Sequence, residues 1–323
     1  MNPARRIGVV VNPTKFDDLP DVKDGVAKVC ADHGWGEPIF VETTAEDPGI
    51  GQAHEMLERG VDILCPLGGD GTVRAVATAL VSTDTPIGHL PGGTGNLLAR
   101  NLDLPIESLE DALEVVLTGK DRRIDVGLVR LLPDSTSDEP LKGDDPPSAE
   151  DPRQEDEEVF LVMTGIGVDA EVMARTNEKV KGVLGWPAYI FAGIGRMFSR
   201  GFMVQVSSGG GDPQAQHARS VIIGNCGTLQ GNVDLMPDAK LDDGILDGVI
   251  LAPKGAFGWG AVAADLGSRH RRGHRQIVRL TSTAIRATTG RDAIEAEIDG
   301  DPKGEQYGLT TRILPKALVV RVR

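Results

Sequence analysis

The chain has few aromatic residues, few cysteines and no long apolar run. Aromatic residues make up 4% of its 323 residues, and the three cysteines, Cys30, Cys65 and Cys226, are widely spaced. Their odd number and spacing favour buried free thiols over a disulfide framework or a metal cluster. No stretch approaches the ~18 apolar residues of a membrane-spanning helix, and no signal-peptide apolar region follows Met1. The expected location is therefore the cytoplasm.

Positive charge is also scarce, because the formal net charge is −14. Much of the acidity lies in residues 134–158, which hold 11 acidic residues against Lys142 and Arg153. This segment is rich in proline and serine and nearly without large apolar residues, so it cannot offset the entropy of ordering. It is predicted to be a disordered acidic loop. Nucleic acid is not an expected partner, but because most of the acidity lies in one segment, the net charge itself says little about partners.

Length and apolar content are sufficient for two domains. The chain is 40% hydrophobic, and its first part alternates strands with helices. That alternation predicts an α/β domain over residues 1–127, with helices on both faces of a parallel sheet. The remainder, 128–323, is predicted to be mostly antiparallel β-structure, with helices near 169–181, 186–198 and 254–266. Its strands are predicted at 125–132, 159–166, 202–207, 218–225, 245–251, 276–282, 294–299 and 313–322.

Two glycine-rich loops follow apolar strands and lead directly into helices. The first is Gly68-Gly69-Asp70-Gly71-Thr72, and the second is Pro91-Gly92-Gly93-Thr94-Gly95-Asn96. Glycines let a backbone approach an anion and adopt positive φ, and a helix N-terminus attracts phosphate. In an open α/β sheet both loops lie at the carboxyl edge, where ligands bind. A nucleotide cleft is the favoured interpretation, and the alternative is a tight turn in which Asp70 only caps its helix.

A set of short motifs runs along the chain in a fixed order. The motifs are Asn12-Pro13, the two glycine-rich loops, Leu98-Ala99-Arg100, Arg123 to Gly127, Gly165 to Ala170, Asn225-Cys226-Gly227, Leu241 to Asp247 and Asp299-Gly300-Asp301-Pro302. Together they resemble the motif set of the bacterial diacylglycerol-kinase and sphingosine-kinase-like family. The similarity covers nearly the whole chain outside the acidic loop.

This resemblance implies an ATP-dependent lipid kinase, with a nucleotide-binding α/β domain, a C-terminal β-sandwich and an active-site cleft between them. Asp301 matches the family's proton acceptor, and Asp70 lies beside the phosphates and magnesium. At the end of the second strand, Thr43 or Thr44 would contribute to the nucleotide site. The other residues implied to bind ATP are Asn12, Pro13, Gly68, Gly69, Asp70, Gly71, Thr72, Thr94, Gly95 and Asn96.

The resemblance also implies a Mg²⁺ site in the C-terminal domain. Its ligands would be Asp243 and the backbone carbonyls of Lys240 and Ile245, and oxygen ligands suit a hard cation. The alternative for Asp243 and Asp247 is turn chemistry, because Asp-Asp-Gly is a hairpin signal.

Three positions depart from the family pattern. Leu97 stands where many members carry aspartate, and Asp301 replaces the more usual glutamate. The first loop reads Asn12-Pro13-Thr14-Lys15 and lacks the glycine often found shortly after. Asp70 is the alternative general base, since sphingosine kinases use the corresponding loop aspartate.

Two segments bear on the lipid partner. The apolar run 184–198 could form an acyl-chain pocket or simply pack in the core, and the basic run 269–275 could attract anionic headgroups or remain solvated. The expected partner is a lipid at the membrane surface, reached by peripheral association with the inner face. The sequence is compatible with a homodimer. Alternative functions are a NAD kinase and a nucleotide-binding regulator without catalysis.

Overall fold

A computed structural model describes residues 5–134, 153–167, 201–229, 233–253, 258, 262 and 276–323. The chain divides into two compact units. The first contains the described residues up to Val126 together with Pro315–Arg323, and the second contains those between Gly127 and Leu314. Domains are parts of a chain that fold independently, which the two compact units do not test. The predicted domain boundaries, 1–127 and 128–323, therefore stay a prediction.

The first unit is built on a four-stranded parallel sheet with strand order β2-β1-β3-β4. The last strand has only two residues, and isolated bridges before it pair Ile87 with Leu64 and with Val320. The strands are β1 (Ile7–Val11), β2 (Ile39–Glu42), β3 (Ile63–Gly68) and β4 (Leu90–Pro91). The helices are α1 (Leu19–Asp32), α2 (Ile50–Glu58), α3 (Asp70–Leu80), α4 (Leu97–Asn101) and α5 (Leu109–Thr118), with a 3-10 turn over Pro13–Lys15.

Helices cover both faces of this sheet, and β1 is therefore buried along its whole length. On one face Ile7, Val9 and Val11 share a core cluster with residues of α1 and α5. On the other face a Cβ at Gly8 would lie 3.0 Å from the sulfur of Met56 in α2, so glycine lets that helix pack closely. A continuous apolar strand is what a doubly covered parallel sheet requires. The predicted α/β architecture is confirmed.

The second unit contains two six-stranded antiparallel sheets, which confirms the predicted β-sandwich. Their orders are β14-β13-β10-β7-β16-β17 and β6-β5-β18-β15-β8-β9, and β5 and β18 also extend into the first unit. Buried residues of both sheets, among them Phe160, Val221 and Ile298, form one core cluster. The first sheet comprises β7 (Met163–Ile166), β10 (Ser220–Gly224), β13 (Leu246–Leu251), β14 (Ile277–Ser282), β16 (Ile294–Ile298) and β17 (Asp301–Gln306). The second comprises β5 (Lys120–Leu132), β6 (Glu158–Phe160), β8 (Phe202–Ser208), β9 (Gln214–Ala218), β15 (Ala284–Thr288) and β18 (Gly308–Val322), and a ribbon pairs β11 (Thr228–Leu229) with β12 (Val233–Asp234).

The end of the predicted acidic loop is ordered, which corrects its predicted boundary. Residues 135–152 lie outside the described residues, but Glu157 forms a bidentate ion pair with Arg312, with both N–O distances 2.7 Å. The Glu157 and Arg312 side chains are only 6% and 3% exposed. Burial would raise the pKa of Glu157, but the hydrogen bonds from Arg312 and the Gln154 backbone hold it below its ordinary value. A prediction of disorder from composition alone missed this long-range pair.

Several other predictions fall on undescribed residues. The predicted helices 169–181 and 186–198 lie there entirely, as do the apolar run 184–198 and the basic run 269–275. Only residues 258 and 262 of the third predicted helix, 254–266, are described. Across the described parts of the chain, no helix is long and apolar enough to cross a membrane.

Candidate active site

Three loops at the carboxyl edge of the parallel sheet carry the residues predicted to bind nucleotide. They follow β1, β3 and β4, and each begins where its strand ends. The backbone N–H of Asn12 donates to the carbonyl of Leu67 at 3.0 Å, so the loop after β1 is attached to the end of β3. Strands that run in parallel bring these loops to one edge of the sheet.

The two glycine-rich loops pack backbone against backbone. A Cβ on Gly92 would lie 2.8 Å from the nitrogen of Gly68, and a Cβ on Gly93 would lie 2.7 Å from the Cα of Gly69. Neither distance leaves room for a side chain. The positive φ that glycine was expected to allow does not occur, because no glycine of either loop has it. The glycines in this pattern permit contact between the loops.

Asp70 belongs to the first glycine-rich loop, and its carboxylate contacts the second. Its Oδ1 accepts a hydrogen bond from the backbone N–H of Leu97 at 2.8 Å. Its Oδ2 lies where Gly95 leaves space, since a Cβ on Gly95 would come within 2.1 Å of that oxygen. The helix-cap interpretation of Asp70 is wrong, because Gly69 is the N-cap of α3 and Asp70 is its first residue. Leu97, at the position where the family often has aspartate, contributes a backbone N–H to this arrangement.

The N-terminus of α3 is suited to an anion. This 11-residue helix begins without a side-chain hydrogen bond to its cap. Thr72 is only 5% exposed, and its backbone N–H donates to the carbonyl of Gly69 at 3.0 Å. A Cβ on Gly68 would lie 2.6 Å from the Thr72 hydroxyl, so that hydroxyl fills the space beside the loop. The N–H groups and dipole of a helix start favour bound phosphate.

The loop after β1 is fixed by its own side chains. Asn12 Oδ1 accepts from the backbone N–H of Thr14 at 3.1 Å and from its hydroxyl at 2.7 Å, which caps the turn that begins at Pro13. Phe16 follows this turn, and its ring would lie 3.0 Å from a Cβ on Gly92. The three loops therefore form one contiguous group.

The two candidate threonines after β2 differ in exposure. Thr43 is 8% exposed, and its backbone N–H donates to the carbonyl of Val11 at 2.9 Å. Thr44 is exposed, and its hydroxyl accepts from the N–H of Asp47 at 3.1 Å. The structure thus ties Thr43 to the end of β1 and leaves Thr44 nearer to solvent.

Asn96 closes the second loop in a left-handed conformation, with φ 48° and ψ 45°. Its Nδ2 donates to the carbonyl of Gly93 at 2.9 Å, and Thr94 between them is exposed. His89, before β4, is only 7% exposed. Burial lowers the pKa of His89 to about 4, although interaction with the Asn96 side chain acts in the opposite direction and raises that pKa. A neutral histidine therefore lies beneath the loop, and no sequence pattern indicated it.

Asp301 lies in the second unit, directly after a two-residue hairpin turn. The turn residues Asp299 and Gly300 have φ of 49° and 84°, as a type I′ turn requires. They join β16 to β17, and Asp301 pairs with Ile298 in the ladder. Asp301 is half-buried. A tight turn therefore fixes the main chain from which its carboxylate projects.

The predicted Mg²⁺ loop forms a turn. Asp243 Oδ1 accepts from the backbone N–H of Ile245 at 3.1 Å, and Gly244 between them has φ 75°. Burial, together with the nearby carboxylates of Asp243 and Asp238, raises the pKa of Asp247 to about 6. Where the chain is described, no three His, Cys, Asp or Glu side chains form a metal-binding group. The loop has clustered negative charge and oxygen donors, which suit a hard cation, and the ligand set of Lys240, Asp243 and Ile245 stays a prediction.

Comparison with known families covers most of the chain. Residues 6–129 match the diacylglycerol kinase catalytic domain. Residues 162–322 match the YegS C-terminal NAD kinase beta sandwich-like domain.

Individual relatives carry the name "probable lipid kinase YegS-like". The relative from Pseudomonas fluorescens is 31% identical over 83% of this chain and 80% of its own length. The relative from Pseudomonas putida is 30% identical over 87% of this chain and 84% of its own length. The chain belongs to the YegS-like lipid kinase family. A further relative from Enterobacter sp. is 29% identical, but the match spans only 60% of this chain and 57% of that protein.

Solved structures support the fold of a YegS-like protein. A crystal structure described as a diacylglycerol kinase from Bacillus anthracis str. Sterne aligns with a TM-score of 0.70 at 18% identity. The alignment covers 100% of this chain and 98% of that one. At this identity the likeness establishes the architecture alone.

Proposed function

We propose that the chain is an ATP-dependent kinase that transfers the γ-phosphoryl group to a lipid hydroxyl. The observation that carries the proposal is the group of loops after β1, β3 and β4. Their glycines pack backbone to backbone, an uncapped helix start lies beside them, and Asp70 is held between them. Phosphoryl transfer depends mainly on positioning and charge neutralisation, which these elements can supply.

In this proposal the nucleotide phosphates bind at the start of α3. Backbone N–H groups around Gly69 and the helix dipole stabilise phosphate charge. A Cβ on Gly69 would meet nothing within 4 Å, so the surface there is open to a ligand. Thr94, which is exposed on the second loop, is suited to contact the same ligand.

Asp301 is assigned as the general base. It accepts the proton of the lipid hydroxyl as that oxygen attacks the γ-phosphorus. The support is its position directly after the fixed turn of β16 and β17, together with its match to the family's acceptor. Asp70 remains the alternative base, and its contact with Leu97 N–H is equally compatible with a role beside magnesium.

Magnesium is proposed as the metal cofactor. Asp70 would hold the ion that accompanies ATP, and the turn around Asp243 would hold a second one in the other unit. When bound, Mg²⁺ supplies positive charge that offsets the phosphates or the carboxylates around it. Asp243→Asn should raise the Mg²⁺ concentration needed for half-maximal stabilisation of the protein, measured by thermal melting.

The lipid acceptor is proposed from the names of the relatives, and its chemical identity is left to experiment. Incubation with labelled ATP, a lipid extract and NAD distinguishes the candidate functions. Label in the organic phase supports a lipid kinase, and mass analysis of the product identifies the lipid. Label in an aqueous NAD product would favour a NAD kinase, and nucleotide binding without turnover would favour a regulator. Either of these two results would contradict the proposal.

A further inference from the structure

The connection between β6 and β7 is a buried segment without strand hydrogen bonds of its own. Leu161 and Val162 are each 2% exposed. Backbone polar groups buried in this way need partners. On the carbonyl side, Asn225 Nδ2 donates to the carbonyl of Leu161 at 3.3 Å and Asn225 N donates to that of Val162 at 2.9 Å. Asn225 is fully buried. Its two hydrogen bonds give a structural role to the Asn225-Cys226-Gly227 motif, which has no part in the proposed chemistry.

On the N–H side, one carboxylate serves three consecutive residues. Asp299 Oδ2 accepts from the N–H of Leu161 at 2.9 Å. Asp299 Oδ1 accepts from the N–H groups of Val162 at 2.9 Å and Met163 at 3.0 Å. Asp299 is 7% exposed, so these charge-assisted bonds lie away from solvent. This carboxylate connects the hairpin turn to a segment far away in the sequence.

The same turn is held from a second side. The N–H of Gly300 donates to Glu297 Oε2 at 2.6 Å, and Glu297 is 2% exposed. Beyond the turn, Lys303 forms an ion pair with Glu158 at the start of β6. The backbone on both sides of Asp301 is therefore anchored by buried or half-buried charged groups.

An Asp-Gly pair in a type I′ turn is common, because aspartate tolerates left-handed φ. This backbone preference does not require the aspartate side chain to accept a hydrogen bond from any particular group. Here the side chain is buried and accepts three hydrogen bonds from residues outside the turn. The local preference does not account for these contacts.

We propose that Asp299 is a positioning residue that fixes the direction of Asp301 by anchoring the turn to the segment Leu161–Met163. This inference rests on the proposed function, because it assumes that Asp301 is the general base. A general base must reach its proton within hydrogen-bonding distance, and a displacement of about 1 Å can cost roughly 100-fold in rate.

Asp299→Asn tests the proposal with little change in shape. Asparagine tolerates positive φ, and its one oxygen can still accept from Val162 and Met163. An amide nitrogen would then face the N–H of Leu161, so faster amide hydrogen exchange should be concentrated at that residue. The value of kcat should fall roughly 10- to 100-fold, while the KM for ATP stays unchanged.

A double variant separates positioning from general stability. Adding Asp299→Asn to the Asp301→Asn protein should cause less than about a two-fold further loss, since the anchored group is already absent. Multiplied losses in the double variant would overturn the proposal.

Thr311→Val is the matched stability control. The Thr311 hydroxyl donates to the carbonyl of Ile285 at 3.0 Å and is buried in the other sheet of the same unit. The Thr311→Val variant should have a lower melting temperature than wild type and an unchanged kcat. If it lowers kcat as much as Asp299→Asn does at equal loss of stability, the positioning role is excluded.

Gly300→Ala is the second variant if Asp299→Asn does not fold. A Cβ there meets nothing within 4 Å, but φ 84° strains an alanine, so the turn shifts while the Asp299 carboxylate stays. It should lower kcat about 3- to 30-fold with the KM for ATP retained, and an unchanged kcat would contradict the inference.

A wild-type protein that phosphorylates no lipid would refute the proposed function, whereas an active wild type with an equally active Asp299→Asn variant would refute only the positioning role.

Discussion

The two units hold their functional groups by different chemistry. In the first unit the loops meet through glycine backbones, and the space between Gly68 and Gly92 excludes even a methyl group. In the second unit buried carboxylates organise the turns, as Asp299 and Glu297 do beside Asp301. The first unit should therefore be most sensitive to added atoms, and the second to removed charge.

The largest effect is expected from removing one charge in the second unit. Asp301→Asn keeps the size of the side chain but cannot accept the hydroxyl proton, so kcat should fall roughly 10²- to 10⁴-fold. The KM for ATP should change little. In the first unit, Asp70→Asn can keep the hydrogen bond from Leu97 N–H through its oxygen, and its lost charge should weaken both Mg-ATP use and kcat. Steady-state kinetics in mixed lipid micelles measures both variants.

An added methyl group is the matching perturbation in the first unit. Gly92→Ala would place a Cβ 2.8 Å from the backbone nitrogen of Gly68, which cannot move aside, so it should destabilise the protein by about 2–3 kcal/mol. Gly69→Ala is the control, because its φ of −85° suits alanine and its Cβ meets nothing within 4 Å. Denaturant unfolding of the two variants should differ clearly. Equal stability would mean that the loops do not pack as described.

Acid should weaken the two units over different pH ranges. The folded pKa of His89 is about 4 and its ordinary value is 6.5, so the unfolded chain binds the extra proton between these values. The stability that depends on neutral His89 is present above pH 6.5 and falls as pH drops toward 4. The pKa of Glu157 is lowered from 4.5, so its contribution is present above that value and is lost only as pH falls through the folded pKa.

The His89 effect can be isolated by substitution. Between pH 7.5 and 5.5 the unfolding free energy should fall by about 1 kcal/mol more in the wild type than in His89→Gln. Denaturant titrations at the two pH values measure this difference. The same pH dependence in both proteins would show that His89 is not responsible.

The smallest effect is expected from the acidic segment. Replacing residues 135–152 with a short Gly-Ser linker should leave turnover and melting temperature almost unchanged, because the sequence of this segment has almost no large apolar residues and loop closure costs grow slowly. The replacement must stop before Arg153, since Glu157 pairs with Arg312. A large loss of activity or stability would show that the segment binds the folded protein or a partner.

Local patterns in the sequence were sufficient for much of the first unit. The strand, glycine loop and helix order predicted the parallel sheet, and Ser108, whose hydroxyl accepts from the N–H of Asp111, is a residue type typical of a helix start. The reason for the glycines was not predictable, because the contact between Gly92 and Gly68 joins two separate loops. The burial of His89 also depends on tertiary packing.

The second unit was harder to predict because its strands pair over long distances. The edge strand β9 (Gln214–Ala218) lacks β-branched residues, and β17 (Asp301–Gln306) contains proline and glycine, so neither has a typical strand pattern. Asp299 and Gly300 were visible in the sequence only as part of a family motif. The contacts of Asp299 with Leu161 to Met163 lie more than 130 residues away and leave no local trace.

Steady-state kinetics test the account most directly. Initial rates are measured as a function of ATP concentration, with one lipid acceptor, for wild type, Gly69→Ala and Asp301→Asn. The account predicts that Gly69→Ala raises the KM for ATP with kcat retained, because the added methyl crowds the phosphate surface of the first unit. It predicts the opposite for Asp301→Asn, in which kcat falls and KM is retained. A near-normal kcat in Asp301→Asn at saturating ATP and lipid would contradict the assignment and move the base to Asp70.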